Sequence, residues 1–208
     1  MKIKAIIFDM DGVLIDAKEW HYEALNAALK LFGSEISRYD HLVTFDGLPT
    51  KKKLEMLSLE GSLPGKLHGF VNELKQQYTM EIVFTKCKPV FQHRYALAKL
   101  HAEGFRLAVS SNSIRKTIEV MMEKAGLAKY LEFFLSNEDV VSSKPDPEIY
   151  ISTIQKMKLL PEECLIVEDN EKGVKAALAS GAHLLKVNDP GDVHYYRVKN
   201  RIHEIEHG

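Results

Sequence analysis

Short apolar runs alternate with longer amphipathic ones along most of this chain. Residues 3–8 are apolar and rich in β-branched side chains, as a buried strand requires, and they stop at the polar turn Asp9-Met10-Asp11-Gly12. Over 18–32, Trp20, Ala24, Ala27, Ala28, Leu31 and Phe32 recur at helical spacing, with Gly33 as a stop. Residues 34–84 predict only helical patches, at 52–59 and 66–78, interrupted by Gly47, Pro49, Gly61, Pro64 and Gly65; no strand pattern falls there. This stretch reads as a small all-helical insert. From Cys87 onward the alternation resumes, with helices expected at 93–103, 114–124, 148–158 and 172–180 and strands at 105–109, 133–135, 164–167 and 183–187. Strands alternating with helices predict an α/β fold built on a parallel sheet. The last stretch, 192–208, reads as a polar, partly helical tail without a motif.

Composition narrows the class. At 208 residues, 45% hydrophobic and 27% charged, the chain can bury one sizeable core plus a small satellite lobe, which excludes disordered and low-complexity architectures. Its net charge of -1 provides no overall field for a nucleic-acid backbone, so DNA and RNA are not expected as partners. The two cysteines, Cys87 and Cys164, are too few for a disulfide framework, and Cys164 sits among Leu165, Ile166 and Val167 as a core residue would. No run approaches the roughly 18 apolar residues of a membrane span. The apolar stretch that follows Lys4 stops at Asp9, too soon for an export signal, so a cytoplasmic location is expected and no membrane partner. Oligomeric state is not legible.

The chemistry lies at the strand ends. Asp9 and Asp11 follow the first strand, Ser111 and Asn112 the second, and Glu168 and Asp169 a later one. Open parallel sheets bind ligands outside the carboxyl ends of their strands, so three clusters distant in sequence converge on one edge. Four carboxylates packed together repel unless some are protonated or a cation intervenes. Oxygen donors of this kind favour Mg²⁺. Ser111 offers a hydrogen-bond donor and Lys144 a positive charge, which suits a phosphoryl group. A carboxylate can also act as a covalent phosphoryl acceptor.

These segments resemble, in order, the four motifs of the haloacid dehalogenase-like hydrolase superfamily. Phe8-Asp9-Met10-Asp11-Gly12-Val13-Leu14 is similar to the first, and Val109-Ser110-Ser111-Asn112-Ser113 to the second. Ser143-Lys144-Pro145-Asp146-Pro147 resembles the third, and Val167-Glu168-Asp169-Asn170, with Gly173 and the alanine-rich segment to Gly181-Ala182, the fourth. The resemblance implies a Rossmann-like core, residues 1–16 and 87–208, and a helical cap, 17–86, like that of β-phosphoglucomutase and phosphoglycolate phosphatase. It also implies roles. Asp9 is the nucleophile and a Mg²⁺ ligand. Asp11 is the general acid and base, and ligates the metal through its backbone carbonyl. Ser111 and Asn112 hold the phosphoryl group and Lys144 keeps it in register with the nucleophile. Asp169 is a direct metal ligand, and Glu168 one acting through water. In the cap, His21 and Gly47 are implied substrate contacts, with Lys51 and Lys75 as further candidates for the leaving group. Such a cap closes over the site and excludes water.

Two positions depart from the subgroup pattern: Ala17 stands where Ser or Thr is common, and Pro89 is followed by Val90 instead of Gly. Both fall at the junction of the lobes. Asp11 disfavours dehalogenase and phosphonatase chemistry, in which that carboxylate is not needed. The expected activity is Mg²⁺-dependent hydrolysis of a small phosphorylated metabolite, such as a sugar phosphate, through an aspartyl-phosphate. A β-phosphoglucomutase-like mutase is the alternative, and a non-catalytic phospholigand-binding regulator a second. Plainer readings stand beside these: Ser111 as a helix N-cap, Lys144 as a surface lysine, Lys51-Lys52-Lys53 as a solvated helix face and Trp20 as a core anchor.

Overall fold

The computed structural model describes residues 2–208. Its elements are β1 (Ala5–Phe8), α1 (Lys18–Lys30), α2 (Arg38–Asp40), α3 (Thr50–Leu59), α4 (His68–Lys86), α5 (Phe91–Ala102), β2 (Arg106–Ser110), α6 (Arg115–Lys124), β3 (Phe133–Leu135), α7 (Glu148–Lys156), β4 (Cys164–Glu168), α8 (Glu171–Ala179), β5 (His183–Lys186) and α9 (Tyr195–His207). They form two compact units, one made of the segment ending at Asp16 together with Lys88–Gly208, the other of Ala17–Cys87.

In the first unit all neighbouring strands pair in parallel, in the order β3-β2-β1-β4-β5. The chain builds from β1 outward to β3, then returns to the other side of β1 for β4 and β5. This reversal is a topological switch point, where an α/β sheet opens a crevice at its carboxyl edge. β1 is central and covered on both faces, which is why all four of its residues, Ala-Ile-Ile-Phe, are apolar and buried. One face packs Ala5, Ile7, Ala108, Cys164 and Ile166 against Ile149, Tyr150 and Ile154 of α7 and Ala176 and Ala177 of α8. The small alanines let α8 lie close to the sheet. Both cysteines are buried and neither forms a disulfide, and burial pushes the Cys164 thiol up to about 12.

The expected polar, partly helical tail is an amphipathic helix over Tyr195–His207. Val198 and Ile202, four residues apart, are buried on one side of α9, which packs on α5 and β5. Two buried apolar positions in thirteen form a stripe too narrow to stand out in the sequence.

In the helical unit α1 packs along α4 around a core that includes Leu25, Leu29, Phe45, Leu54, Leu57 and Val71. Helix α4 continues to Lys86, beyond the expected 78. Its buried positions Val71, Lys75, Thr79 and Val83 recur every four residues, but a lysine and a threonine in that stripe conceal it from a hydrophobicity pattern. Two expectations are corrected. Trp20 is half-buried and lies outside this core. Lys53 is buried, so Lys51-Lys52-Lys53 is a solvated face only at its first two residues.

Candidate active site

Strand register alone assembles the centre of the site. Phe8 is level with Val109 of β2 and with Val167 of β4. The next residues, Asp9, Ser110 and Glu168, therefore occupy neighbouring positions on three adjacent strands spaced ~4.8 Å apart. Asp9 N–H donates to the Val167 carbonyl at 3.0 Å and keeps the first residue past β1 in the ladder. The chain then turns sharply. The Met10 carbonyl accepts from Leu14 and Ile15 N–H, each at 2.9 Å, and Gly12 N–H donates to the Ile15 carbonyl at 2.7 Å. Gly12 has φ +90°, a left-handed conformation that a side chain would strain, which accounts for glycine directly after Asp11. Ser113 Oγ donates to Asp11 Oδ2 at 2.9 Å, joining the loop after β1 to the loop after β2.

Lys144 is the hub. Only 4% of it is exposed. Its Nζ lies 2.7 Å from Asp9 Oδ1, 2.6 Å from Glu168 Oε1, 2.9 Å from the Ser110 carbonyl and 2.7 Å from the Tyr150 hydroxyl. An ammonium has three protons, so these four oxygens share them. Burial opposes the lysine's charge, but Asp9 and Glu168 outweigh it and raise its pKa. A surface lysine is thereby excluded. The Lys144 backbone N–H donates to Asn112 Oδ1 at 3.2 Å, which ties its loop to β2.

Glu168 is fully engaged. Its Oε1 accepts from Lys144 and from the Tyr150 hydroxyl at 2.6 Å, and its Oε2 from the backbone N–H groups of Asp169 and Asn170 at 3.1 and 3.4 Å. Gly173 on α8 makes this possible, since a Cβ there would fall 1.9 Å from Glu168 Oε1. The carboxylate thus rests against the first turn of α8, where the helix dipole favours negative charge. Burial raises the Tyr150 pKa well above its usual value, with Glu168 adding to it, so the phenol stays protonated as a donor.

Ser111 is buried, and its N–H donates to the Leu135 carbonyl at 3.1 Å. It does not cap α6. Ile114 holds the N-cap position without a side-chain bond, and Ser111 Oγ instead accepts from Ser113 N–H at 3.1 Å.

Asp9, Glu168 and Asp169 each present a carboxylate oxygen within 4.8 Å of the other two. Burial, reinforced by Glu168, Asp11 and Asp169 and opposed by Lys144, raises the Asp9 pKa well above the ordinary carboxylate range. Four carboxylates around one ammonium leave a surplus of negative charge in a buried place. That donor set fits a hard divalent cation, whose oxygen ligands stand roughly 3–4 Å apart.

The α/β unit therefore brings together Asp9, Asp11, Ser111, Asn112, Lys144, Glu168 and Asp169. His21, Gly47, Lys51 and Lys75 belong to the helical unit. There Lys75, buried on α4, places Nζ 3.3 Å from His21 Nδ1. Lysine can only donate, so Nδ1 is the acceptor and the ring proton sits on Nε2. Gly47 has φ +68°, and Lys51 is exposed. Sequence reasoning missed Tyr150 and Ser113. The first looks like any core aromatic of a helix, and the second like one more residue of a polar turn.

A model of the haloacid dehalogenase-like hydrolase family matches residues 6–187. A phosphorylated carbohydrates phosphatase of Thermotoga maritima is 28% identical over 182 residues, spanning 86% of this chain and 82% of its own. A phosphoglycolate phosphatase of Aquifex aeolicus is 27% identical, spanning 86% of this chain and 82% of its own. The crystal structure of β-phosphoglucomutase from Clostridium difficile has the same fold, with a TM-score of 0.84 over 97% of this chain and 98% of its own at 19% identity. No helix among the described residues is long and apolar enough to cross a membrane. With a family match that runs from β1 past the end of β5, the chain belongs to the haloacid dehalogenase-like hydrolases.

Proposed function

We propose that this chain is a Mg²⁺-dependent phosphatase of a small phosphorylated metabolite, a sugar phosphate foremost, and that it works through an aspartyl-phosphate on Asp9. One observation carries the reading: a buried carboxylate at the switch point, Asp9, is held at 2.7 Å by Lys144 and flanked by further carboxylates suited to a divalent cation. The names of the two phosphatase relatives support the reaction class.

Asp9 and Asp169, with the backbone carbonyl of Asp11, would hold the cation. Glu168, whose oxygens are already engaged, would reach it through water. When bound, Mg²⁺ supplies positive charge against the phosphoryl oxygens. In the first half-reaction an Asp9 oxygen attacks phosphorus, the bond from phosphorus to the substrate oxygen breaks, and Asp11 protonates the departing alcohol. In the second, Asp11 takes a proton from water, the water oxygen attacks phosphorus, and the bond to Asp9 breaks to release phosphate. Lys144 keeps Asp9 aligned, and Ser111 and the Asn112 N–H donate to phosphoryl oxygens. Residues 17–87 are assigned the choice of leaving group, with His21, Gly47, Lys51 and Lys75 as candidate contacts.

Phosphate release from a panel of phosphorylated metabolites, with Mg²⁺, tests the proposal. Turnover of sugar phosphates that is lost in Asp9→Asn is expected. Isomerised sugar phosphate without free phosphate would identify a mutase, and tight binding without either product a regulator.

A further inference from the structure

Helix α9 ends in His203-Glu204-Ile205-Glu206-His207. A pair of histidines four residues apart has no meaning in a polar tail, but on a helix it places both rings on one face. Here the His203 and His207 rings lie side by side, with centroids 4.2 Å apart and planes inclined by 36°. Both residues are exposed, while Val198 and Ile202 take the buried side of the helix. His207 Nδ1 lies 3.0 Å from the His203 carbonyl oxygen. A carbonyl accepts only, so Nδ1 carries the proton and the neutral ring keeps its Nε2 lone pair for a ligand. Metal-binding histidines are commonly fixed by such a bond.

The surroundings favour a cation. The pair occupies the last turn of α9, where unsatisfied carbonyls give the helix end a partial negative charge. Glu204 adds a carboxylate to the same turn, partly balanced by Arg201 Nη1 at 3.0 Å from its Oε2. Glu206 is committed elsewhere, since its Oε1 accepts from the Ile3 N–H at 2.9 Å. That bond fastens the turn to the segment entering β1.

We propose that His203 and His207 form a two-imidazole site for a borderline divalent ion of the Zn²⁺, Ni²⁺ or Cu²⁺ class, with water completing its coordination. Imidazole nitrogen prefers such ions to Mg²⁺, so this site and the carboxylate site at the sheet edge select different metals. The His-Glu-x-x-His spacing is shared with helical zinc peptidases, whose glutamate acts as a base. Glu204 is paired with Arg201 on an open surface, and no hydrolytic role is assigned to it. The ion instead clips the last turn of α9, and through Glu206 it steadies the start of β1.

Cu²⁺ is the probe, titrated into the full chain in excess Mg²⁺ and followed by calorimetry and electron paramagnetic resonance. One Cu²⁺ per chain with the splitting of two imidazole nitrogens is expected. His203→Asn and His207→Asn should each reduce the signal to one nitrogen and weaken binding about 100-fold, the usual scale of a lost second point of attachment. Circular dichroism should be unchanged, and so should phosphate release wherever the wild type has it. Cu²⁺ affinity equal in the wild type and the double variant would overturn the proposal, as would a two-nitrogen signal that survives either substitution. The readout is spectroscopic and independent of the reaction the chain catalyses.

Discussion

Lys144 and Glu168 interlock so closely that single atoms have consequences. Gly173→Ala would put a methyl within 2.2 Å of both Glu168 oxygens, and the carboxylate would have to leave its four donors. A loss of about 2–4 kcal/mol is expected, read as a lower melting temperature together with reduced turnover. An unchanged melt would mean that Glu168 has room elsewhere. Tyr150→Phe removes one donor from a buried carboxylate and should cost about 1–3 kcal/mol in denaturant unfolding. At Asp11, substitution by Asn should slow poor leaving groups far more than p-nitrophenyl phosphate; equal losses on both would contradict an acid role. The carboxylates and Ser111 of this candidate site were legible because polar side chains directly after apolar strands have one edge of the sheet to occupy. Their division of labour was not. Nothing in the spacing tells that Glu168 spends its oxygens on Lys144, Tyr150 and two backbone N–H groups, because those contacts depend on how α7 and α8 close on the sheet.

At the scale of elements, the loop after β3 shows how the carboxyl edge is kept rigid. Asp139 accepts from Ser136 N–H and Oγ at 2.8 and 2.6 Å and pairs with Arg115 of α6. Burial alone would raise its pKa, but the Ser136 bonds and Arg115 outweigh it and hold the carboxyl below the ordinary range. The native state therefore favours the ionised form. This stability is complete above the unfolded value near 4 and is lost as pH falls through the lower folded value. Asp139→Asn should thus cost about 1–2 kcal/mol at neutral pH and show no deficit against wild type in strong acid, checked by unfolding across pH. Strands were read closely because each is short and built around an apolar run, with polar residues only at its ends. Helices α4 and α9 were not. In α4 a buried Lys75 and Thr79 break the apolar stripe, and in α9 only Val198 and Ile202 are buried where the helix packs on α5 and β5.

For the whole molecule, the order β3-β2-β1-β4-β5 explains how residues up to 160 positions apart share one crevice: β1 is flanked by β2 and β4, and each ends in part of the site. A pattern of alternating elements implies a parallel sheet, but not which strands are neighbours, and only the pairing register places Asp9 beside Glu168. The buried surplus of carboxylates makes a global prediction. Mg²⁺ should raise the melting temperature of the wild-type chain, a chelator should reverse the rise, and Asp169→Asn should respond much less. The measurement that bears most directly on the chemistry is mass spectrometry of the chain quenched in acid during turnover of a sugar phosphate. A phosphoryl group on the peptide containing Asp9, absent from Asp9→Asn, is the predicted result. Sustained phosphate release with that peptide unmodified, or undiminished in Asp9→Asn, would contradict it.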